Sequence, residues 1–278
     1  MRVHLVTVLQ PLPVFLTRLA GGEDPLPDPA LEQEQRDQFT GYLRQTAEAL
    51  GTTHGVETTF ALLDGDPPRE LAEHARARHV GLIVMTTHGH SGVQRFWLGS
   101  AADRLLRRVN VPVLLLRSGK EPFRTEFRHL LVALDGSSEG EEVLEPAIEL
   151  GSLCRSSQIT LVQVVEPPIP LITRIALSPA RLRSGWRELQ ENCARSYLER
   201  VASRLRARGL EVKTEMITAR GAGEQIAKCA RWLKADLIVV GTHGARGVER
   251  MLLGSVADKV VRAAQQAVLV VPTHKEKS

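Results

Sequence analysis

Short apolar runs alternate along this chain with segments whose apolar residues recur every three or four positions. His129–Leu134, Ile159–Val165, Val212–Ile217, Leu237–Val240 and Ala267–Val271 are runs of the first kind and predict strands. Between them, Val143–Leu153 places Val143, Ala147 and Leu150 on one face. Trp186–Arg208 repeats Leu189, Cys193, Tyr197, Val201 and Leu205 at amphipathic-helix spacing. Glu224–Lys234, with Ile226, Ala230 and Leu233 inward, and Ser255–Ala264 predict two further helices, while the proline-bearing Glu166–Gly185 reads as a loop. Strands alternating with helices predict an α/β fold with a parallel, doubly wound sheet. The nearly unbroken Ile, Leu and Val of Leu237–Val240 and Ala267–Val271 fit strands covered on both faces.

The pattern occurs twice. Thr87–Asp103 and Thr242–Asp258, 155 residues apart, agree at eleven of seventeen positions. The same shift lays Gly81–Val84 on Asp236–Val239 and Val113–Leu116 on Val268–Val271. A repeat this long is a duplicated domain, not a solenoid. The reading is two tandem doubly wound domains, over residues 1–120 and 128–275, joined by the polar Arg117–Phe127 segment.

In the first copy, His4–Leu9 matches the second strand of the second copy, with Leu5–Leu9 expected to be buried. The first strand and first helix have no counterpart, so the first copy reads as truncated. A missing central strand would leave strand backbones unpaired, each buried polar group costing about 1–3 kcal/mol. Three outcomes follow: the flanking strands close up, another strand fills the slot, or the protein starts upstream of Met1. The last is favoured. The two final strands, Val113–Leu116 and Val268–Val271, are apolar and would otherwise be exposed edges, so they are expected to pair with each other within one chain. A homodimer is a further outcome.

Composition narrows the classes. Of 278 residues, 43% are hydrophobic and 24% charged, which argues against disorder. The net charge of +4 is spread along the chain, and aromatics are only 4%, so a nucleic-acid partner is not expected. Three widely spaced cysteines, Cys154, Cys193 and Cys229, form no C-x-x-C pair; they read as reduced, mostly buried thiols of a cytoplasmic protein. No uninterrupted apolar stretch is long enough for a transmembrane helix, so no membrane partner is expected. His4, Gln10, Pro11, Pro13 and Arg18 break the apolar start and argue against a signal peptide.

Ligands of open parallel sheets sit beyond the carboxyl ends of strands, where strand order reverses. Two segments of the second copy belong there: Asp135, after the first strand, and Gly241-Thr-His-Gly244 with Gly254-Ser255, after the fourth. Glycines let backbone approach a ligand closely, and a helix start offers open N–H groups to phosphate. The same residues are also those of ordinary turns and an N-cap serine, and spacing alone leaves both readings open.

At these residues the second copy, over Arg128–Thr273, resembles the universal stress protein family. The resemblance rests on Leu131–Ser137, with Asp135 in it, and on Gly241–Gly244 with Gly254-Ser255. It implies the strand order 3-2-1-4-5 and, for one branch of the family, ATP as the bound cofactor. It further implies that Ala133 and Asp135 contact the adenosine portion and that the backbone near Val164 meets adenine. Gly241, Gly244, Gly254, Ser255 and Val256 would hold ribose and phosphates. In the first copy Thr86 stands at the first glycine position and Asp135 has no counterpart, while Gly89, Gly99 and Ser100 are retained.

Other residues carry less. His88 and His243 recur at one repeat position without a partner at metal-ligand spacing, and His88 with His90 is too short a motif to be specific. Cys229 reads as packing, and Asp64 and Asp66 as a turn leading into a helix. Neither a Walker loop nor an S-G-G-x-D-S loop is present, and no base and nucleophile pair is visible. The expected function is a non-catalytic, nucleotide-responsive stress or regulatory module that is not an enzyme. The alternatives are a slow ATP-hydrolysing enzyme and a scaffold that binds no nucleotide.

Overall fold

The computed structural model describes residues 2–10, 29–87, 98–117, 126–154, 158–167, 181–242 and 253–273. The chain divides into two compact units, Met1–His79 and Val80–Ser278.

In the first unit, β1 (Arg2–Leu9) pairs in parallel with β2 (Glu57–Asp64), from Arg2 opposite Glu57 to Leu9 opposite Asp64. Helix α1 (Pro29–His54) connects them and α2 (Pro67–Ala77) follows. Asp66 is the N-cap of α2, but its side chain does not cap; its carbonyl accepts from Arg69 and Glu70 N–H. Asp64 instead receives both terminal nitrogens of Arg36, at 2.7 and 3.2 Å. The two aspartates are therefore separate features of one turn. The buried strand expected at Leu5–Leu9 is only half-buried, because β1 has a single strand neighbour. Among the described residues of this unit, the buried apolar side chains are Leu43, Pro68, Ala72 and Ala75.

The second unit holds a seven-stranded sheet built from both copies. The first copy supplies β3 (Ile83–Thr86), α3 (Ser100–Leu106) and β4 (Val113–Leu116). The second supplies β5 (His129–Ala133), a 3-10 turn (Glu139–Val143), α4 (Leu144–Leu153), β6 (Gln158–Val165), α5 (Arg181–Arg206), β7 (Val212–Thr218), α6 (Ala222–Trp232), β8 (Leu237–Gly241), α7 (Ser255–Ala263) and β9 (Ala267–Val271). The strand order is β3-β4-β9-β8-β5-β6-β7. Within the second copy this is the expected 3-2-1-4-5 order, all parallel.

The copies join through one antiparallel pair, β4 on β9, with Val113 opposite Val270 and Leu115 opposite Val268. This is the expected edge-to-edge union of the final strands. Strand β1 pairs with β2 in one sheet, and β3 pairs with β4 in the other. Helix α5 begins five residues earlier than the sequence suggests and runs through Gly185, because a single glycine weakens a helix by only about 1 kcal/mol.

Alternation along the strands divides the core. Leu130, Val132, Ile159, Leu161, Leu237, Val239 and Leu269 pack with Leu198, Val201 and Leu205 of α5. Leu131, Ile238, Val240, Val268 and Val270 occupy the other strand positions and are equally buried. On that side α6 and α7 bury Ile226, Ala230, Ala257 and Val260. Of the three cysteines only Cys229 is buried; Cys193 is exposed and Cys154 intermediate. Burial pushes the Cys229 thiol up to about 11, which fits a packing role.

Candidate functional site

Strand β5 has β6 on one side and β8 on the other. The chain leaves β5 toward β6 and β7 and returns to β8 and β9, so strand order reverses between β5 and β8. Parallel neighbours lie about 4.8 Å apart, which brings the carboxyl ends of β5 and β8 together. Asp135 leaves one end, and Gly241 and Thr242 close the other.

Asp135 is part of a tight turn. Its Oδ1 accepts from Ser137 N–H at 3.0 Å and from Ser137 Oγ at 2.6 Å. Ser137 Oγ in turn accepts from Gly140 N–H at 3.0 Å. Gly136 has φ +91°, and a Cβ there would lie 3.0 Å from the Gln163 amide nitrogen. At Gly140 a Cβ would stand 2.3 Å from Asp135 Oδ1. The loop thus needs glycine at both positions, one for backbone conformation and one for space. Leu134 N–H donates to Val162 O at 2.9 Å, which continues the β5–β6 register toward Asp135 beside Val164.

The helix start is held from β8. Gly254 N–H donates to Thr242 O at 2.7 Å, and Thr242 N–H to Val271 O at 2.8 Å. Thr242 is buried, and its Oγ1 accepts from Thr273 N–H at 3.1 Å. Gly254 is the N-cap of α7, with no side-chain cap, and Ser255 and Val256 are exposed at the first turn. The first N–H groups of a helix have no partner within it and carry the positive end of its dipole. Asp258, in the same turn, is drawn away into an ion pair with Arg262 at 2.9 Å.

The first copy repeats this construction. Gly99 N–H donates to Thr87 O at 2.9 Å, and a Cβ on Gly99 would meet that same oxygen at 2.9 Å. Asp103 pairs with Arg107 at 3.0 Å, as Asp258 does with Arg262.

Of the residues singled out from sequence, Ala133, Asp135, Val164, Gly241, Gly254, Ser255 and Val256 all lie at the carboxyl edge of the second copy's sheet. Gly244 and His243, and in the first copy His88, Gly89 and His90, lie outside the described residues. Sequence reasoning missed three contributors. Gly140 could have been read from the D-G-S-x-x-G spacing. Glu166 ends β6 and its Oε1 accepts from Gly221 and Ala222 N–H, at 3.1 and 3.2 Å, fastening the start of α6. Gln163 places a carboxamide oxygen in the interior with no hydrogen-bond partner among the described residues. No local motif announces the last two, because their partners are more than 25 residues away or absent. Nearby, burial raises the Tyr197 phenol well above its ordinary range, with the Glu141 and Asp135 carboxylates adding to the shift.

Among the described residues there is no group of three or more His, Cys, Asp or Glu side chains suited to a metal ion. Nor is any helix among them long and apolar enough to cross a membrane.

A doubly wound sheet, a turn aspartate at the switch point and a Gly-Ser helix start present in both copies define a tandem α/β protein with a Rossmann-like parallel sheet. The sequence profile of the universal stress protein family matches residues 1–117 and 126–272. The chain belongs to that family, as a tandem two-domain member. It is similar to a universal stress protein of Mycolicibacterium smegmatis, 27% identical over 246 residues, covering 86% of this chain and 77% of that protein. A universal stress protein of Methanocaldococcus jannaschii is 33% identical over 150 residues, covering 54% of this chain and 85% of its own length. The crystal structure of a universal stress protein from Archaeoglobus fulgidus superposes with a TM-score of 0.66 at 19% identity, covering 99% of this chain and 87% of that one. At that identity the likeness speaks to the fold.

Proposed function

We propose that the second copy binds ATP at the carboxyl edge of its sheet and acts as a nucleotide-responsive regulatory module without turnover. The observation that carries this reading is the meeting of Asp135 and the Gly254-Ser255 helix start at the ends of neighbouring strands β5 and β8. An acceptor-only carboxylate suits the hydroxyl groups of a nucleoside. An uncapped helix start suits its phosphates. Val164, beside Asp135 on β6, would meet the base through its backbone, and Gly241 and Val256 would border the ribose and phosphates. The first copy keeps the helix start but carries Thr86 where the second copy has Gly241, so the nucleotide is assigned to the second copy.

Calorimetry with ATP tests the site. Asp135→Ala removes hydrogen bonds to a charged group, each worth about 1.5–3 kcal/mol, so affinity should fall at least tenfold. Gly254→Val puts a branched side chain where phosphate would lie and should abolish binding. Unchanged affinity in both variants rejects the site. Phosphate release above background in a steady-state assay rejects the non-catalytic reading, and absence of ATP binding by equilibrium dialysis favours the scaffold.

A further inference from the structure

We propose that the groove between α6 and α7 is a binding site for a small polyvalent phosphate, held by Lys228, Arg231 and Lys259. The groove has a volume of about 490 Å3 and is lined by Glu224, Lys228 and Arg231 of α6 and by Lys259, Arg262 and Ala263 of α7. Small-ligand sites span roughly 300–1,000 Å3, so the space is sufficient. Four of the six lining residues are cations and one is a carboxylate. Asp135, Gly254 and Ser255 are not among them, so the groove is separate from the proposed nucleotide site and does not depend on that reading.

Helix period and packing place the cations. Lys228 and Arg231 are three residues apart on α6, and Lys259 and Arg262 three apart on α7, so each pair shares a face. The helices touch at Gly223, where a Cβ would lie 2.5 Å from Lys259 Cβ. The Lys259 stem therefore begins at the helix contact, against α6.

The second observation is what these charges lack. Elsewhere, helix arginines pair with acids four residues away: Arg69 with Glu73 at 3.2 Å, Arg107 with Asp103 at 3.0 Å and Arg187 with Glu191 at 2.9 Å. Arg262 does the same with Asp258. Among the described residues, the side chains of Lys228, Arg231 and Lys259 make no ion pair or hydrogen bond. Glu224 stands four residues before Lys228, the spacing of a helical ion pair, but its carboxylate turns back toward the N-cap, with Oε2 3.4 Å from a Cβ built on Gly221. The repeat sharpens the contrast. At the 155-residue shift, Glu224 and Lys228 correspond to Arg69 and Glu73, which pair with each other. The second copy thus carries an unpaired cation where the first carries the acid of a closed pair. Like charges three residues apart on a helix repel, so folding gains nothing from this arrangement and an anion in the groove would relieve it. A phosphate chain supplies closely spaced negative groups; lysine meets them as a point charge and Arg231 through its planar fork.

Calorimetric titration of the full chain with sodium tripolyphosphate, a probe without a nucleoside, tests the site. One site per chain is expected, weakening as NaCl screens it. Lys228→Gln, Arg231→Gln and Lys259→Gln should each weaken binding about threefold, and the triple replacement about thirtyfold. Citrate, a tricarboxylate, should bind more weakly than tripolyphosphate. Lys213→Gln, on β7 outside the groove, should leave affinity unchanged. The triple variant should melt no lower than the unmodified chain, because it relieves like-charge repulsion. Affinity unmoved by the triple replacement would put the probe elsewhere, at a helix start, and overturn the proposal. Absence of binding to the unmodified chain, an equal loss in Lys213→Gln, citrate binding as tight as tripolyphosphate, or a lowered melting temperature in the triple variant would each overturn it as well.

Discussion

At the residue scale, the turn after β5 turns on a short chain of contacts: Asp135 Oδ1 to Ser137, and Ser137 Oγ to Gly140. The close approach of Gly140 to Asp135 makes a sharp prediction. In Gly140→Ala the new methyl group would be 2.3 Å from Oδ1, so the carboxylate must swing out of the turn. The variant should weaken ATP binding about as much as Asp135→Ala while leaving the melting temperature within a few degrees. Calorimetry and a melting curve on one preparation decide it. His129 gives a second prediction. Its Nε2 lies 2.8 Å from Thr160 Oγ1, and burial lowers its pKa despite opposing contributions from the Leu233 carbonyl and Asp236. His4 and His74 shift the same way. Above about pH 6.5 these rings are neutral in both folded and unfolded chains. Below it the unfolded chain takes up protons first, so stability falls as pH falls, until the folded rings protonate too. Urea midpoints should drop from about pH 7 to 5, and His129→Gln should flatten part of that slope.

At the element scale, the packing of α6 on α7 depends on Gly223. A Cβ there would lie 2.5 Å from Lys259 Cβ and 2.8 Å from Val256 O. Gly223→Leu should therefore push the helices apart and cost about 1–3 kcal/mol, read as a lower melting temperature, with α7 displaced at the candidate site. Most strands of the second copy were legible because apolar runs buried on both faces leave a strong, uninterrupted signal. Helix limits were less so. Α-helix α5 absorbs Gly185, α6 starts at Ala222 instead of Glu224, and a 3-10 turn at Glu139–Val143 precedes α4. These limits are set by partners the local pattern does not contain, such as the Glu166 carboxylate at the start of α6.

At the scale of the whole chain, the repeat and its sheet boundaries do not coincide: the first copy's β3 and β4 belong to the sheet of the second copy, and α3 lies in the same unit. Arg117, just past β4, donates to the Val261 and Arg262 carbonyls at 3.3 and 3.1 Å and so closes the end of α7. The equivalent position of the second copy is Pro272, which cannot return the contact. Burial lowers the Arg117 guanidinium, and two helix-end carbonyls satisfy it. Arg117→Ala should destabilise the seven-stranded sheet by about 1–3 kcal/mol, measured by urea unfolding, because buried carbonyls lose charged donors. From sequence alone came the duplication, the α/β class, the strand order through family resemblance, the pairing of the two final strands, and the aspartate, glycines and serine of the candidate site. Periodicity and short motifs record such features, since strand burial and tight turns constrain neighbouring residues directly. Only the tertiary structure decided that β1 and β3 lie in different sheets, that Gly140 and Glu166 hold the site's loops, and that His4 meets His74 through a 2.9 Å hydrogen bond between their Nε2 atoms. Those contacts join residues far apart in the chain, and their chemistry exists only once strand register and helix packing have brought the atoms within bonding distance.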